Sequence, residues 1–373
     1  MMISLAVLGA ALALAFANGA NDNFKGVATL YGSGRLSYRG ALVLATLTTL
    51  AGSLSAMVVA TGLVRRFSGK GLVPPGVAAD PAFVLAVAIG AALTVLLATR
   101  LGFPTSTTHA LTGALVGGGM VMAGAAGVSY SALTSSFAIP LLMSPLASLA
   151  LAAAVHAGLR RGVARLEAST PSCVCSLSSP AAIPALPTGS PPRLQGRPQF
   201  HVAAVEVCDR HGAGRILTLD PGRGLDGLHL ASAGAVGFAR GLNDTPKIAG
   251  VLAATEILAP GLGTAVLAAA MAAGGLVAAR RVARTLSFEI TRMDEHEALS
   301  ANLVTAGLVL LASPLSLPVS TTHISCGALF GIGASNGEAR WRTIATIAGA
   351  WTVTLPAAAL LAALAALALN IVR

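Results

Sequence analysis

Apolar runs long enough to cross, or partly cross, a bilayer lie near residues 2–20, 40–64, 82–99, 106–126 and 132–158. A second series follows near 229–258, 260–279, 298–314, 320–337 and 343–371. The pattern predicts an all-α polytopic membrane protein with two sets of about five membrane segments each. Between the sets, residues 160–228 are rich in Pro, Ser, Gly and Arg and include the polar run Ser178 to Pro198, so they cannot form a span. The expected organisation is an N-terminal membrane repeat (1–159), a central cytoplasmic loop or small soluble insert (160–228) and a C-terminal membrane repeat (229–373).

Composition strengthens this reading. Only 10% of the 373 residues are charged and 55% are hydrophobic, with a mean hydropathy of +0.78. Disorder and nucleic-acid binding fit such a chain poorly, although its formal charge is +10. The basic excess sits in loops between apolar runs, as the positive-inside rule requires. A cytoplasmic central loop after an odd number of crossings places the N-terminus outside and Arg35, Arg39, Arg280, Arg281 and Arg284 inside. Arg65, Arg66 and Lys70 then fall outside, against the rule. Ala15-Phe16-Ala17 resembles a signal-peptidase site, but no basic residue precedes the apolar stretch, and the following residues belong to a repeated motif; the segment reads as a retained span.

The two halves share sequence. Ala17-Asn18-Gly19-Ala20-Asn21-Asp22, followed by Lys25, matches Ala239-Arg240-Gly241-Leu242-Asn243-Asp244, followed by Lys247. Phe103-Pro104-Thr105-Ser106-Thr107-Thr108-His109 matches Leu317-Pro318-Val319-Ser320-Thr321-Thr322-His323, and the match continues through Gly113-Ala114-Leu115 with Gly117 and Gly327-Ala328-Leu329 with Gly331. The same motifs in the same order indicate a duplication, and five crossings per half make the second copy insert upside down: two inverted-topology repeats with broken or re-entrant helices.

An Asp in an apolar span costs about 2.5–3.5 kcal/mol on insertion scales, so Asp22 and Asp244 should face a protein interior or an aqueous path and have partners. With Asn21 and Asn243 they offer hard oxygen ligands to a cation; the plainer alternative is a polar pair capping a broken helix. In the second motif proline interrupts the apolar segment, Ser or Thr caps the next, and its first turn presents free N–H groups, hydroxyls and the positive end of the helix dipole. That is an anion site without a fixed charge. A single copy is most simply a capped short helix, but two copies meeting near the midplane point to function. His109 and His323 read as hydrogen-bonding groups rather than relays or ligands, since no His or Cys pair stands at metal spacing near them. A hydrolase triad of Ser106, His109 and Asp22 lacks a nucleophile elbow.

The doubled Gly-x-Asn-Asp and Pro-x-Ser-Thr-Thr-His motifs resemble those of the PiT-type inorganic phosphate transporters, over both membrane halves but not the central loop. The resemblance implies an inverted-repeat fold and a secondary active transporter of the plasma (inner) membrane. On that resemblance it would carry inorganic phosphate as a symport with sodium ions or protons and would not be an enzyme. Position by position, Ser106, Thr107, Thr108, Ser320, Thr321 and Thr322 would hold phosphate oxygens, while Asn21, Asp22, Asn243 and Asp244 would hold coupling ions. No cofactor is implied beyond bound sodium ions, and no partner beyond phosphate, the coupling ion and membrane lipids; a homo-oligomer is left open. The chain departs from the family pattern at Lys25 and Lys247, two of its three lysines, where an Asn or a small residue is common. A tethered ammonium there pairs with the carboxylate, contacts the anion, or snorkels to an interface. The first two roles put sodium coupling in doubt.

Two rival functions follow from the same residues: a permease for sulfate or another oxyanion, and a membrane enzyme acting on lipid phosphates, which needs a nucleophile or metal cluster the spans lack. No nucleotide-binding loop is present, which disfavours ATP-driven transport. Cys173, Cys175, Cys208 and His211 in the central loop form a loosely spaced candidate metal set, more simply read as thiols in a loop; with Cys326 they make no disulfide framework.

Overall fold

The computed structural model describes residues 2–167, 172–177, 199–204, 214–219, 221–253 and 257–371. The first half contributes α1 (Met2–Asp22), α2 (Ala28–Gly32), α3 (Tyr38–Val59), α4 (Thr61–Phe67), α5 (Pro75–Ala78), α6 (Pro81–Leu101), α7 (Thr107–Ala123), α8 (Tyr130–Ala132) and α9 (Ile139–Glu167). The second half contributes α10 (Pro221–Ala253), α11 (Pro260–Ala278), α12 (Arg280–Arg284), α13 (Glu295–Ala312), α14 (Thr321–Asn336) and α15 (Trp341–Ile371). One compact unit comprises Met1–Ala157 with His229–Arg373, and a second comprises Gly158–Leu228.

Helix ends fall where side chains satisfy the orphaned backbone groups. The Asp80 carboxylate accepts the Ala82 N–H at 2.8 Å, Pro81 opens α6, and the helix stops at Gly102, whose φ of 81° suits a residue without a Cβ. Asp294 and Glu297 form a reciprocal capping box at the start of α13.

Six helical runs among the described residues are long and apolar enough to cross a membrane: Met2–Asp22, Tyr38–Val59, Pro81–Leu101, Tyr130–Arg161, Pro260–Ala278 and Trp341–Ile371. The other four apolar segments differ for readable reasons. Helices α7 and α14 have 17 and 16 residues, short of the roughly 20 that a full span takes. Helix α10 carries Arg240, Asp244 and Lys247 in its middle, and α13 opens on Glu295, His296 and Glu297. The outer surface is apolar in helical stripes, such as Val43, Leu47, Leu54 and Val58 on α3 and Leu360, Leu364, Leu367 and Ile371 on α15. Asn18, Asp22, Lys25, Arg240, Asp244 and Lys247 are buried instead. A soluble protein has the opposite arrangement; hydrocarbon outside and polar groups inside is the membrane solution.

The paired glycines of the sequence repeat allow backbones to touch. A Cβ on Gly113 or Gly117 of α7 would strike the carbonyl oxygens of Leu355 and Ala359 on α15. In the second half, a Cβ on Gly327 or Gly331 of α14 would strike those of Pro145 and Leu149 on α9. Each short helix therefore packs on the long helix that closes the opposite half. Small residues at a helix interface are how membrane helices gain dispersion contact where lipid is as apolar as Leu.

The second unit holds a three-stranded antiparallel sheet, with β1 (Ser172–Leu177) between β2 (Gln199–Ala204) and β3 (Gly214–Leu219). Cys173 pairs in register with Ala203 and Thr218. The composition of 160–228 suggests a connecting loop or small soluble insert, and the strands give that insert its own structure. Cys173 and Cys175 lie on β1, while Cys208 and His211 lie outside the described residues.

Substituting Gly117→Ala or Gly331→Ala forces an overlap with backbone that only a helix shift relieves. Each should cost about 1–3 kcal/mol and lower the thermal unfolding midpoint of the detergent-solubilised protein. Gly349→Ala, with no atom within 4 Å of its Cβ, is the control and should leave the midpoint in place.

Candidate functional site

The first Asn-Asp motif sits at the end of α1, where the helix breaks. Residues Asn23 to Val27 are turn, and the Lys25 N–H bonds back to the Asp22 carbonyl at 3.2 Å. The second copy lies inside α10, which runs on through Pro246 to Ala253. One motif is thus a helix end and the other a continuous helix. A broken helix describes only the first.

The two Ser-Thr-Thr-His copies have nearly superposable entries. Ser106 (φ −97°, ψ 110°) and Ser320 (φ −94°, ψ 116°) are N-caps, and their hydroxyls accept the N–H groups of His109 and His323 at 3.1 and 3.2 Å. Capping leaves the hydroxyls of Thr107, Thr108, Thr321 and Thr322 projecting from the first turns of two helices, each with the positive end of its dipole. The helix entries are held by the asparagines. Asn21 donates to Thr99 Oγ1 and to the Phe103 carbonyl, both at 3.0 Å, and accepts the Thr105 N–H at 2.9 Å. Asn243 donates to the Val319 carbonyl at 3.3 Å and accepts from Ser313 at 3.4 Å.

Lysine and aspartate join the halves. Lys25 Nζ lies 2.7 Å from Asp22 Oδ2 and reaches across to Thr321 Oγ1 at 3.0 Å and Thr322 Oγ1 at 2.5 Å. Lys247 Nζ lies 3.3 Å from Asp244 Oδ1 and reaches across to Thr108 Oγ1 at 2.8 Å and the Val319 carbonyl at 2.7 Å. The Thr321 hydroxyl donates to Asp244 Oδ2 at 3.2 Å, and that of Thr107 to Asp22 Oδ2 at 3.5 Å. One buried cluster therefore contains all four threonines, both carboxylates and both lysines that the sequence singles out. Ser106 and Ser320 stand at its edge as caps, and Asn21 and Asn243 brace its walls.

Two members have no role assigned from sequence. Asn18 and Arg240 occupy equivalent positions in the duplicated motif, three residues before Asn21 and Asn243, and they bond to each other. Arg240 donates to Asn18 Oδ1 at 2.8 Å, Asn23 Oδ1 at 3.1 Å and Thr49 Oγ1 at 3.2 Å, and its Nε lies 3.8 Å from Asp244 Oδ2. Asn18 donates to Asp22 Oδ2 at 3.0 Å, Thr107 Oγ1 at 2.9 Å and Asp244 Oδ2 at 3.4 Å, linking both carboxylates. A charged residue inside an apolar helix, at a position the repeat fills with Asn, was the available signal. Asp22 Oδ1 is buried and accepts no hydrogen bond from the described residues. It is a buried acceptor left without a donor.

The histidines meet beside this site. The rings of His109 and His323 are 4.4 Å apart, His323 lies 4.0 Å from the Trp351 ring, and the Trp351 indole donates to the Pro104 carbonyl at 3.0 Å. His323 Nδ1 is 3.4 Å from the Leu141 carbonyl. These contacts pack the two half-helices together. No group of three or more His, Cys, Asp or Glu among the described residues is arranged to hold a metal.

Comparison with known proteins places this geometry. A protein of Pyrococcus abyssi named as a phosphate permease is 28% identical over 389 residues, covering 95% of this chain and 94% of its own. The chloroplastic inorganic phosphate transporter 2-1 of Arabidopsis thaliana is 28% identical over 426 residues, covering 97% of this chain and 71% of its own. A solved structure described as the sodium-dependent phosphate transporter matches over 100% of both chains with a TM-score of 0.70 at 20% identity, a likeness of fold. The model of the phosphate transporter family matches residues 18–362, from the first buried asparagine of the cluster to the last helix. This chain is a multi-pass membrane protein belonging to the phosphate transporter family, a family of transporters rather than enzymes.

Proposed function

We propose that the protein is a secondary active transporter carrying inorganic phosphate across the plasma (inner) membrane, driven by a gradient of sodium ions or protons. The observation that carries this reading is the meeting of two capped helix N-termini with two intramembrane carboxylates in one buried cluster. Thr107, Thr108, Thr321 and Thr322, with the first-turn N–H groups of α7 and α14, are the donors for the anion, and Ser106 and Ser320 hold those turns in shape. Asp22 and Asp244 are the charged groups through which substrate and driving ion communicate; Asn21 and Asn243 fix the helix entries around them.

Asp22 Oδ1 favours phosphate over sulfate. Phosphate near neutral pH retains a hydroxyl that can donate to a free carboxylate oxygen, whereas sulfate brings only acceptors and leaves that oxygen unpaired. The reciprocal packing of α7 on α15 and α14 on α9 supports two repeats of opposite orientation that rock or gate against each other around the site.

Uptake of labelled phosphate into proteoliposomes, with sulfate as competitor, tests the reading: phosphate should accumulate, and excess sulfate should inhibit weakly. Equal competition by sulfate would overturn the phosphate assignment. Replacing Thr107 and Thr108, or Thr321 and Thr322, by Val keeps shape and removes donors. Each double variant should weaken phosphate binding by about 1–3 kcal/mol per unmatched contact, and unchanged affinity in both would sink the shared site.

Asp22→Asn and Asp244→Asn each remove an intramembrane charge. Both variants should reach the membrane and lose concentrative uptake; a wild-type accumulation ratio in either would show its carboxylate to be structural only.

A further inference from the structure

We infer that Lys25, Lys247 and Arg240 are resident cations standing where a co-transported metal cation would have to bind, so that the oxyanion is carried without sodium. This rests on the phosphate-transport reading above and chooses between its two driving ions.

Each ammonium already has a hard-oxygen shell. Around Lys25 Nζ it consists of Asp22 Oδ2 at 2.7 Å, Thr321 Oγ1 at 3.0 Å and Thr322 Oγ1 at 2.5 Å. Around Lys247 Nζ it consists of Asp244 Oδ1 at 3.3 Å, Thr108 Oγ1 at 2.8 Å and the Val319 carbonyl at 2.7 Å. Carboxylate, hydroxyl and carbonyl oxygens are also the ligands hard metal cations seek. Both lysine side chains are at most 1% exposed, which excludes snorkelling: a snorkelling lysine keeps its charged head at the interface. Arg240, 2% exposed, adds a third fixed charge beside Asp244.

Lys25, Arg240 and Lys247 face Asp22 and Asp244, so the cluster carries one formal positive charge more than negative. An oxyanion entering it meets compensation that is already in place. A sodium ion competing for Asp22 Oδ2 or Asp244 Oδ1, the oxygens the ammonium groups hold, would sit within about 4 Å of that ammonium, and at an effective dielectric of about 20 the repulsion weakens its binding on the order of a thousandfold. The charge a mobile cation would supply is held by the chain itself, from both halves.

The test is binding of labelled inorganic phosphate to the purified full-length protein, in sodium chloride and in choline chloride of equal ionic strength. The wild type should bind with affinities equal within about twofold in the two salts. Joint replacement Lys25→Asn and Lys247→Asn, which trades each ammonium for an uncharged oxygen ligand, should lower affinity in choline by about tenfold or more and make the remainder sodium-dependent. A wild-type affinity at least tenfold higher in sodium overturns the inference while leaving phosphate transport standing. So does a folded double variant that binds as the wild type does in choline. If that variant does not fold, the wild-type salt comparison decides alone. Binding in neither salt overturns the phosphate reading, and this inference with it.

Discussion

Charge buried in a membrane protein must be neutralised within the protein, and the rest of this structure is arranged around that requirement. Asp22 and Asp244 sit on different halves and far from water; removing the partner of such a group costs about 3–5 kcal/mol in soluble proteins. Their compensation comes from both directions along the chain. Lys25 and Lys247 stand three residues on, so each carboxylate finds its first cation on the next turn. The lysines in turn take Thr321 and Thr322, for Lys25, and Thr108, for Lys247, from the opposite half, which means that the ammonium groups cannot be fully satisfied unless the two halves dock. Electrostatics here specifies the association of the repeats as well as stabilising it.

The site's first-turn threonines answer to the same constraint. A hydroxyl can accept from an ammonium and donate to a carboxylate at once, and Thr321 does both, taking Lys25 and giving to Asp244. Thr322 likewise takes Lys25 and gives to the Thr105 carbonyl at 2.6 Å. In the proposed site, such amphoteric groups would let an anion exchange places with internal partners without leaving donors stranded. Valine at these positions would fill the same volume and remove that exchange.

Much of this was legible in the sequence because duplication turns weak local signals into strong ones. The ten apolar segments and both motifs follow from hydropathy and self-similarity, and the cap geometry of Ser106 and Ser320 follows from Pro and Ser ahead of a Gly/Ala-rich run. Three features were not legible. The break after Asp22 has no counterpart after Asp244, because tertiary packing lets α10 continue past Pro246. The braces made by Asn21 and Asn243 depend on loops more than seventy residues away in the sequence. The pairing of Arg240 with Asn18 joins residues 222 apart, and a repeat aligned in sequence shows equivalence without showing contact.

The crossed glycine packing bears on how such a molecule could have arisen. Helix α7 rests on α15 and α14 on α9, so each half packs its short helix closely against the backbone of the other. A polypeptide ending before the central insert would leave the glycine face of its short helix bare and its lysine without the threonines it reaches. Two separate copies of that half would have to associate to cover both. An ancestor encoding a single repeat is therefore physically reasonable only as a dimer, and fusing its genes would have made permanent an assembly that the glycines already required.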